Sequence, residues 1–412
     1  MTASLWARAA SIDDLKRRAK RRIPRFAFDY LEGGCNQEIA LDRNRQQLDA
    51  MVFEPRYLED CPPPDLSVEV FGHRFDAPFG VGPVGLGGLL WPRVAEIMAA
   101  AAAKANIPFC LSTVATTSIE RAAELAGDCF WFQLYTPTDP AIRDDLLDRA
   151  AAAGCRVLLV TIDVPMAAFR PRDLRNGLAV PPRFTLRTLA QIAARPAWAL
   201  ATLRGGIPKF ESIEPYIPKN AGVAGGSAFT RRVFTGGLNR ESLARIRDRW
   251  KGALVLKGVE TEREAELAVE VGADGIVVSN HGGRQLDAAR SPVEILPSVC
   301  ATVGQRLTVM ADSGVNSGAD IARMLAKGAT MVLAGRAFTY GVGAFGRAGG
   351  DHSIEILHEE LIHFLGQLRC ARPSELASHL PRGAEGHVAR VPELIPAEPA
   401  LEADVPRRRE AV

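Results

Sequence analysis

The segment Ser279-Asn280-His281-Gly282-Gly283-Arg284-Gln285-Leu286-Asp287 sets an imidazole three positions before a guanidinium, with two glycines between them. Glycines allow a sharp turn and a close approach of backbone to ligand. An imidazole takes up a proton near neutral pH. A guanidinium holds a carboxylate through two parallel hydrogen bonds. A base beside a carboxylate clamp suits chemistry at the carbon next to a carboxylate. A second stretch, Asp312-Ser313-Gly314-Val315-Asn316-Ser317-Gly318, and a third, Ala334-Gly335-Arg336, offer backbone N–H groups and an arginine to a phosphate. Taken singly, these residues have plainer readings. A lone histidine is a satisfied structural residue and a lone lysine is solvated. Asp312 reads as a helix N-cap, and Tyr135 as an interface residue with its hydroxyl in water.

The elements that must position them decide between these readings. Eight apolar runs recur along the chain: Phe79–Gly82, Phe109–Ser112, Phe130–Tyr135, Val157–Asp163, Leu254–Lys257, Gly275–Asn280, Leu307–Asp312 and Met331–Gly335. Nearly continuous apolar runs are strands buried on both faces. Helix signals fill the intervals, as in Pro92–Ala105, Pro140–Ala153, Arg240–Trp250, Glu262–Val271 and Ser317–Lys327. Eight β-then-α units predict an α/β fold, a closed parallel (β/α)8 or TIM barrel beginning at about residue 79. Chemistry in such barrels sits at the C-terminal ends of the strands. Those ends carry Ser112, Gln133, Tyr135, Thr161, Asp163, Lys257, Ser279, His281, Asp312, Gly335 and Arg336. One mouth thus gathers a lysine, a histidine, two aspartates and an arginine. The loops after the seventh and eighth strands are the usual phosphate site of such barrels.

Residues 11–60 read as a basic, helical N-terminal extension that leads into Cys61-Pro62-Pro63-Pro64. Residues 1–381 are expected to form a single domain. Residues 382–412, rich in Ala, Glu, Pro and Arg without hydrophobic period, are expected to be a disordered tail. After the fourth barrel strand about ninety residues intervene where a few would do, so a long functional or mobile loop is expected at 178–235. The chain has 412 residues, 47% hydrophobic and 24% charged, with a formal net charge of +2. That balance argues against a nucleic-acid partner. Seven cysteines without a C-x-x-C pair argue against a disulfide framework or structural zinc and for a reducing compartment, hence a cytoplasmic location. No secretory signal or membrane-spanning run is read, and no metal is expected.

At this point the chain resembles the FMN-dependent α-hydroxy-acid oxidase and dehydrogenase family, from about Ile12 to about Leu380. The motif at 279–287 carries the likeness. FDYLEGG (28–34), GPVGLGGLLWP (82–92), LSTVATTSIE (111–120), WFQLY (131–135), TIDV (161–164) and FRPRDLRN (169–176) follow the family pattern in order. The bacterial mandelate dehydrogenase and L-lactate dehydrogenase branch is the most similar. The resemblance implies oxidation of an L-2-hydroxy acid to the 2-keto acid by FMN, with electrons passed to a quinone or O2. It implies His281 as base, Asp163 holding its imidazole, Arg284 and Arg170 gripping the substrate carboxylate, and Tyr30 and Tyr135 bonded to substrate. It places Lys257 at the flavin. Pro83, Val84, Gly85, Ser112, Gln133, Thr161 and Ser279 would bind the isoalloxazine. Asp312, Ser313, Gly314, Val315, Asn316, Gly335 and Arg336 would bind ribityl and phosphate. The family's tendency to form homotetramers implies a homo-oligomer.

This chain departs from the family pattern at three places. Asn316 stands where the family usually has arginine, which removes one charged phosphate contact. Val114 stands where glycolate-oxidising members have tryptophan, and Ala167 where they have a larger residue. A roomier pocket follows, suited to a medium-sized, branched or aromatic substrate. The 178–235 loop carries Arg183, Arg187, Arg195, Arg204, Lys209, Lys219, Arg231 and Arg232 against Glu211 and Glu214. Phe184, Trp198, Phe210, Tyr216 and Phe229 are interleaved. Such a stretch is either a solvated mobile lid or a contact with the cytoplasmic face of the inner membrane, as in mandelate dehydrogenase-like members. Rival readings are an L-lactate dehydrogenase or oxidase, a barrel like type 2 isopentenyl-diphosphate isomerase or IMP dehydrogenase, and a non-catalytic FMN-binding protein. The barrels would not need His281 and Arg284 together with Arg170. The non-catalytic protein should have lost at least one of these groups.

Overall fold

Two short antiparallel strands, β1 (Val68–Val70) and β2 (His73–Phe75), precede eight parallel ones. These are β3 (Phe79–Val81), β4 (Phe109–Ser112), β5 (Phe130–Leu134), β6 (Val157–Thr161), β7 (Ala253–Val259), β8 (Gly275–Val278), β9 (Thr308–Ala311) and β10 (Met331–Ala334). Each pairs with its sequence neighbour and β10 closes on β3, so the fold is a (β/α)8 barrel. The computed structural model describes residues 5–58, 60, 62–178, 185–218, 229, 233–234, 236 and 238–381. The expected tail at 382–412 lies outside them.

The strands are short because each crosses the barrel wall once, and β4, β5, β6, β8 and β10 are buried at every position. Burial on both faces explains why they read as unbroken apolar runs rather than as alternation. Helices cover the outside, and their starts follow from capping. Ser118, Asp139, Thr261 and Ser317 each accept a backbone N–H of the first turn they precede. Asp312 caps nothing: the helix Gly318–Ala326 begins later, on Ser317, so the N-cap reading of Asp312 is overturned.

The N-terminal extension is helical only in part. Helices span Ile12–Arg22, Arg25–Glu32 and Ile39–Asp49, and the described residues from Met51 to Ser67 are not helical. The hairpin β1–β2, which lies past the expected helical stretch and before the first expected strand, plugs the N-terminal end of the barrel. Phe71 and Phe75 both meet Trp131 edge-on, at 6.0 Å between centroids. With Cys110, Val157, Leu159, Val255, Val277, Met310 and Met331 they fill the barrel interior. The solid floor leaves the opposite end of the barrel as the place for chemistry. The expected loop at 178–235 is not loop throughout: its described part contains helices Leu186–Ala193 and Pro196–Gly205. Thr185 starts the first with a capping box, and Pro196 sits in the first turn of the second. Arg183, Phe184, Lys219, Arg231 and Arg232 lie outside the described residues.

Candidate active site

Beyond β8 the chain turns through three consecutive left-handed residues, His281 (φ 57°), Gly282 (66°) and Gly283 (72°). A residue with a side chain is uncommon there, and the surroundings hold this one in place. His281 N donates to Ser279 Oγ (3.0 Å), Gly282 N to Ser313 Oγ (2.9 Å) and Gly283 N to Asn280 Oδ1 (3.1 Å). Any Cβ at Gly283 would lie 2.6 Å from the Leu41 backbone N, so the helix Ile39–Asp49 packs directly on the turn. The imidazole is then fixed from both sides. Nδ1 faces Asp163 Oδ1 and Oδ2 at 3.0 and 3.1 Å, and Nε2 faces Tyr135 Oη at 3.2 Å.

Asp163 reaches His281 because β7 bulges between Lys257 and Val259. Gly258 sits there at φ 102°, and a Cβ on it would lie 2.7 Å from Asp163 Oδ2. Burial alone would raise the Asp163 carboxyl, but the charge and hydrogen bond of His281, then Lys257, hold it below the usual carboxylate range. It is therefore an anion at neutral pH, which keeps the ring proton on Nδ1 and turns the Nε2 lone pair outward. Burial, with Asp163 and Tyr30 close by, raises the Tyr135 phenol. Tyr135 is thus a neutral hydrogen-bond donor in the working range.

Three arginines meet beside this dyad. Arg170 and Arg284 both lie 5.3 Å from the Tyr30 ring centroid. Burial, then Arg170 and Arg336, pushes Arg284 down to about 10. Arg284 Nη1 is anchored by the carbonyls of Tyr30 (2.9 Å), Leu31 (3.2 Å) and Gly33 (2.6 Å). Arg170 Nε pairs with Asp173 at 3.2 Å. Tyr30 Oη donates to Gly85 O at 3.4 Å. Such a concentration of cations calls for an anion.

The floor of the mouth is polar and buried. Strand register puts Ser112 beside Gln133, and Thr161 beside Lys257. Gln133 Nε2 donates to Thr161 Oγ1 (2.8 Å), while the buried Gln133 Oε1 has no hydrogen-bond partner. Lys257 Nζ donates to Ser279 Oγ (2.9 Å) and pairs with Asp312 Oδ2 (2.8 Å). Burial works against the Lys257 charge, but Asp312 and then Asp163 outweigh it and raise its pKa.

The structure thus brings Tyr30, Tyr135, Asp163, Arg170, Lys257, His281 and Arg284 around one mouth. Two expected phosphate-end residues also hold protein groups. Asp312 is the counter-ion of Lys257 and accepts from Ser313 Oγ (2.8 Å). The Arg336 guanidinium ties Leu31 O (2.9 Å), Gly33 O (3.3 Å) and Gly282 O (3.1 Å) together beneath the His281 turn. Asn316 N donates to Asp320 Oδ2 (3.0 Å), a carboxylate already held by Arg45 and Arg323. Ser313 (φ 81°) and Gly314 (φ 84°) continue this loop, and Gly335 lies against Val84. Val114 packs on Gly85, next to the Tyr30 hydroxyl. Sequence reasoning did not single out Glu260, one residue past β7. Burial, then Asp163 and Glu264, pushes it up to about 7. Extending the strand-end inventory three positions past Lys257 would have found it.

A family model described as FMN-dependent dehydrogenase matches residues 19–382. An L-lactate dehydrogenase of Caulobacter vibrioides is 41% identical over 354 residues, 85% of this chain and 92% of the relative. A structure of a monotopic membrane protein, (S)-mandelate dehydrogenase, superposes with a TM-score of 0.86 at 34% identity, covering 90% of this chain and 99% of that one. A mandelate oxidase structure gives a TM-score of 0.75 at 32% identity over 89% of this chain and 97% of that one.

Proposed function

Because the chain belongs to the FMN-dependent dehydrogenase family, and so oxidises an L-2-hydroxy acid to the 2-keto acid, we propose that His281 is the base of that oxidation. The observation that carries this is the chain Asp163–His281–Tyr135 facing the Arg170/Arg284 pair. The arginines hold the substrate carboxylate, which sets the neighbouring carbon against His281. Nε2 takes the proton, and the Asp163 anion stabilises the imidazolium that forms. Tyr30 and Tyr135 hydrogen-bond the substrate oxygens.

The buried residues fit the cofactor. Gln133 Oε1 lacks an N–H donor, which the pyrimidine edge of a flavin carries, and Lys257 lies in the same ring of residues as a fixed cation. A bound FMN would supply the acceptor for the two electrons that leave the substrate carbon. Lys257, Gln133, Thr161, Ser112, Ser279 and the Pro83–Gly85 backbone hold its ring. The loop from Asp312 to Asn316, with Gly335 and Arg336, holds ribityl and phosphate.

Val114 and Ala167 leave room for a branched or aromatic substrate. In an anaerobic panel the purified yellow protein bleaches faster with (S)-mandelate or a long-chain 2-hydroxy acid than with glycolate. Faster bleaching with glycolate would remove the pocket reading, and a colourless protein unchanged by added FMN would remove the functional one. L-lactate is the second reading, favoured by the name of the Caulobacter relative. Repeating turnover with O2 and with a soluble quinone separates the two acceptors.

We also infer peripheral contact with a membrane through the excursion after β6. No helix among the described residues is long and apolar enough to cross one. Yet Leu186, Leu189, Leu200 and Leu203 are exposed on the two helices of this excursion, and Ile207 just after the second, beside Arg187, Arg195 and Arg204. Apolar side chains rimmed by arginine suit an anionic lipid surface. The full chain is expected to float with anionic liposomes, and a triple variant Leu186→Gln, Leu189→Gln, Leu203→Gln to stay behind. Equal partitioning of both would end the idea.

A further inference from the structure

The turn that carries His281 and Arg284 hangs on one buried amide. Asn280 is 1% exposed and uses all four of its side-chain hydrogen-bonding positions. Its Oδ1 accepts from Asn44 Nδ2 (2.9 Å) and from Gly283 N (3.1 Å). Its Nδ2 donates to Asn44 Oδ1 (2.7 Å) and to Arg290 O (3.0 Å). Asn44 is fully buried, at 0% exposure, and comes from the helix Ile39–Asp49, far away in the chain. The pair is reciprocal: each amide both donates to and accepts from the other. An aspartate at either place could not donate, and an alanine would leave one donor and one acceptor of its partner bare in a dry interior. The same helix is tied to the far end of the turn as well. Asp287 accepts from Gln37 N (2.9 Å) and Ala40 N (3.1 Å), just before and at its start.

We propose that Asn44 is a positioning residue for the oxidation. It holds the Asn280 amide in one orientation. That amide receives the Gly283 N–H, and the Gly283 peptide joins His281 to Arg284. The separation between proton acceptor and carboxylate clamp therefore depends on a side chain that touches neither substrate nor cofactor. The proposal rests on the roles given above to His281 and Arg284. Satisfied buried polar pairs of this kind specify one arrangement where apolar packing would allow several.

The test uses the full-length, FMN-loaded protein and four variants: Asn44→Ala, Asn280→Ala, both together, and Gln46→Ala as a control on the exposed face of the same helix. Anaerobic flavin bleaching at saturating 2-hydroxy acid gives the rate, and absorbance gives FMN content. Hydrogen–deuterium exchange of 279–287 reports the turn without reference to activity. Asn44→Ala is expected to bleach about 10–100-fold more slowly, as for a displacement of an ångström or less at reacting groups. FMN content should hold, and exchange should quicken in 279–287 but not in β4 to β6. If Asn44 acts through Asn280, the double variant is no slower than Asn280→Ala alone. Gln46→Ala should match wild type. A rate for Asn44→Ala within about twofold of wild type, or a double variant whose loss is the product of the two single losses, overturns the proposal. If Asn44→Ala does not fold, Asn44→Ser keeps a donor and acceptor at the site and is judged by the same rate and exchange criteria. A wild-type protein that bleaches with no 2-hydroxy acid sinks the functional reading itself, whereas equal rates in an active pair sink this inference alone.

Discussion

The His281→Gln variant oxidises its 2-hydroxy acid about 10²–10⁴-fold more slowly than wild type, the range for losing a positioned general base. Neither group bonded to its imidazole can take over. The Tyr135 phenol, raised by burial, is protonated at neutral pH and offers a donor where a base is needed. Asp163, with 6% of its side chain exposed, sits behind the imidazole on Nδ1 rather than on the Nε2 side. Glutamine retains hydrogen-bonding capacity but cannot hold the proton. The cofactor contacts assigned here lie on other residues, so the variant stays yellow. Anaerobic stopped-flow bleaching with FMN content measured in the same sample checks this. A loss of less than about tenfold at saturating substrate would place the base elsewhere.

Lys257→Met has the second largest effect, and it is one of stability as well as rate. The ammonium is buried between Asp312 Oδ2 and Ser279 Oγ, and Asp163 adds to its field. Methionine fills much of the volume but leaves two carboxylates, with 15% and 6% of their side chains exposed, without their shared cation. Breaking a buried pair by removing one partner costs about 3–5 kcal/mol. The pH dependence follows from the raised pKa of Lys257. A cation whose folded-state pKa lies above its unfolded value contributes fully below the unfolded value of 10.5. That contribution is lost only as the pH climbs through the folded value. The deficit of the variant is therefore flat between about pH 7 and pH 9, which denaturant titrations at several pH values will show. In its proposed place at the flavin edge Lys257 also supplies fixed positive charge, so oxidation is expected to slow by about 10²–10³-fold. A variant as stable as wild type would mean that the Lys257–Asp312 pair contributes nothing net.

The two predictions depend on contacts that differ in how far the sequence reveals them. His281 and Arg284 share a motif of a few residues, and their proposed roles as base and clamp can be read from residue type and spacing. Lys257, Asp163, Tyr135 and Gln133 could be placed at the same mouth because each closes an apolar run. Runs buried on both faces keep their identity in any sequence, and a parallel barrel puts all their C-terminal ends on one side. The eight strands lie within a few residues of the eight runs for that reason. The hairpin β1–β2 escaped notice because three-residue strands carry too little pattern to stand out beside a proline-rich stretch. The helices Leu186–Ala193 and Pro196–Gly205 were hidden by an abundance of basic residues that read as solvated loop. Asp312 looked like a cap because a strand-end aspartate before a helix usually is one, and the sequence does not show that Lys257 is its neighbour across the barrel.

From the sequence alone came the barrel, the end of it that does chemistry, and the residues proposed as base and clamp, all from local pattern or from motif residues adjacent in the chain, while the flavin followed from the family resemblance that those motifs carry. The tertiary structure decided how the base is held. The left-handed backbone of His281, the bulge at Gly258 that admits Asp163, the anchoring of Arg284 by the carbonyls of Tyr30, Leu31 and Gly33, and the Asn44–Asn280 amide pair join segments distant in the chain. Hydrogen bonds of that kind depend on where whole elements come to rest, and residue spacing along a chain carries no record of it.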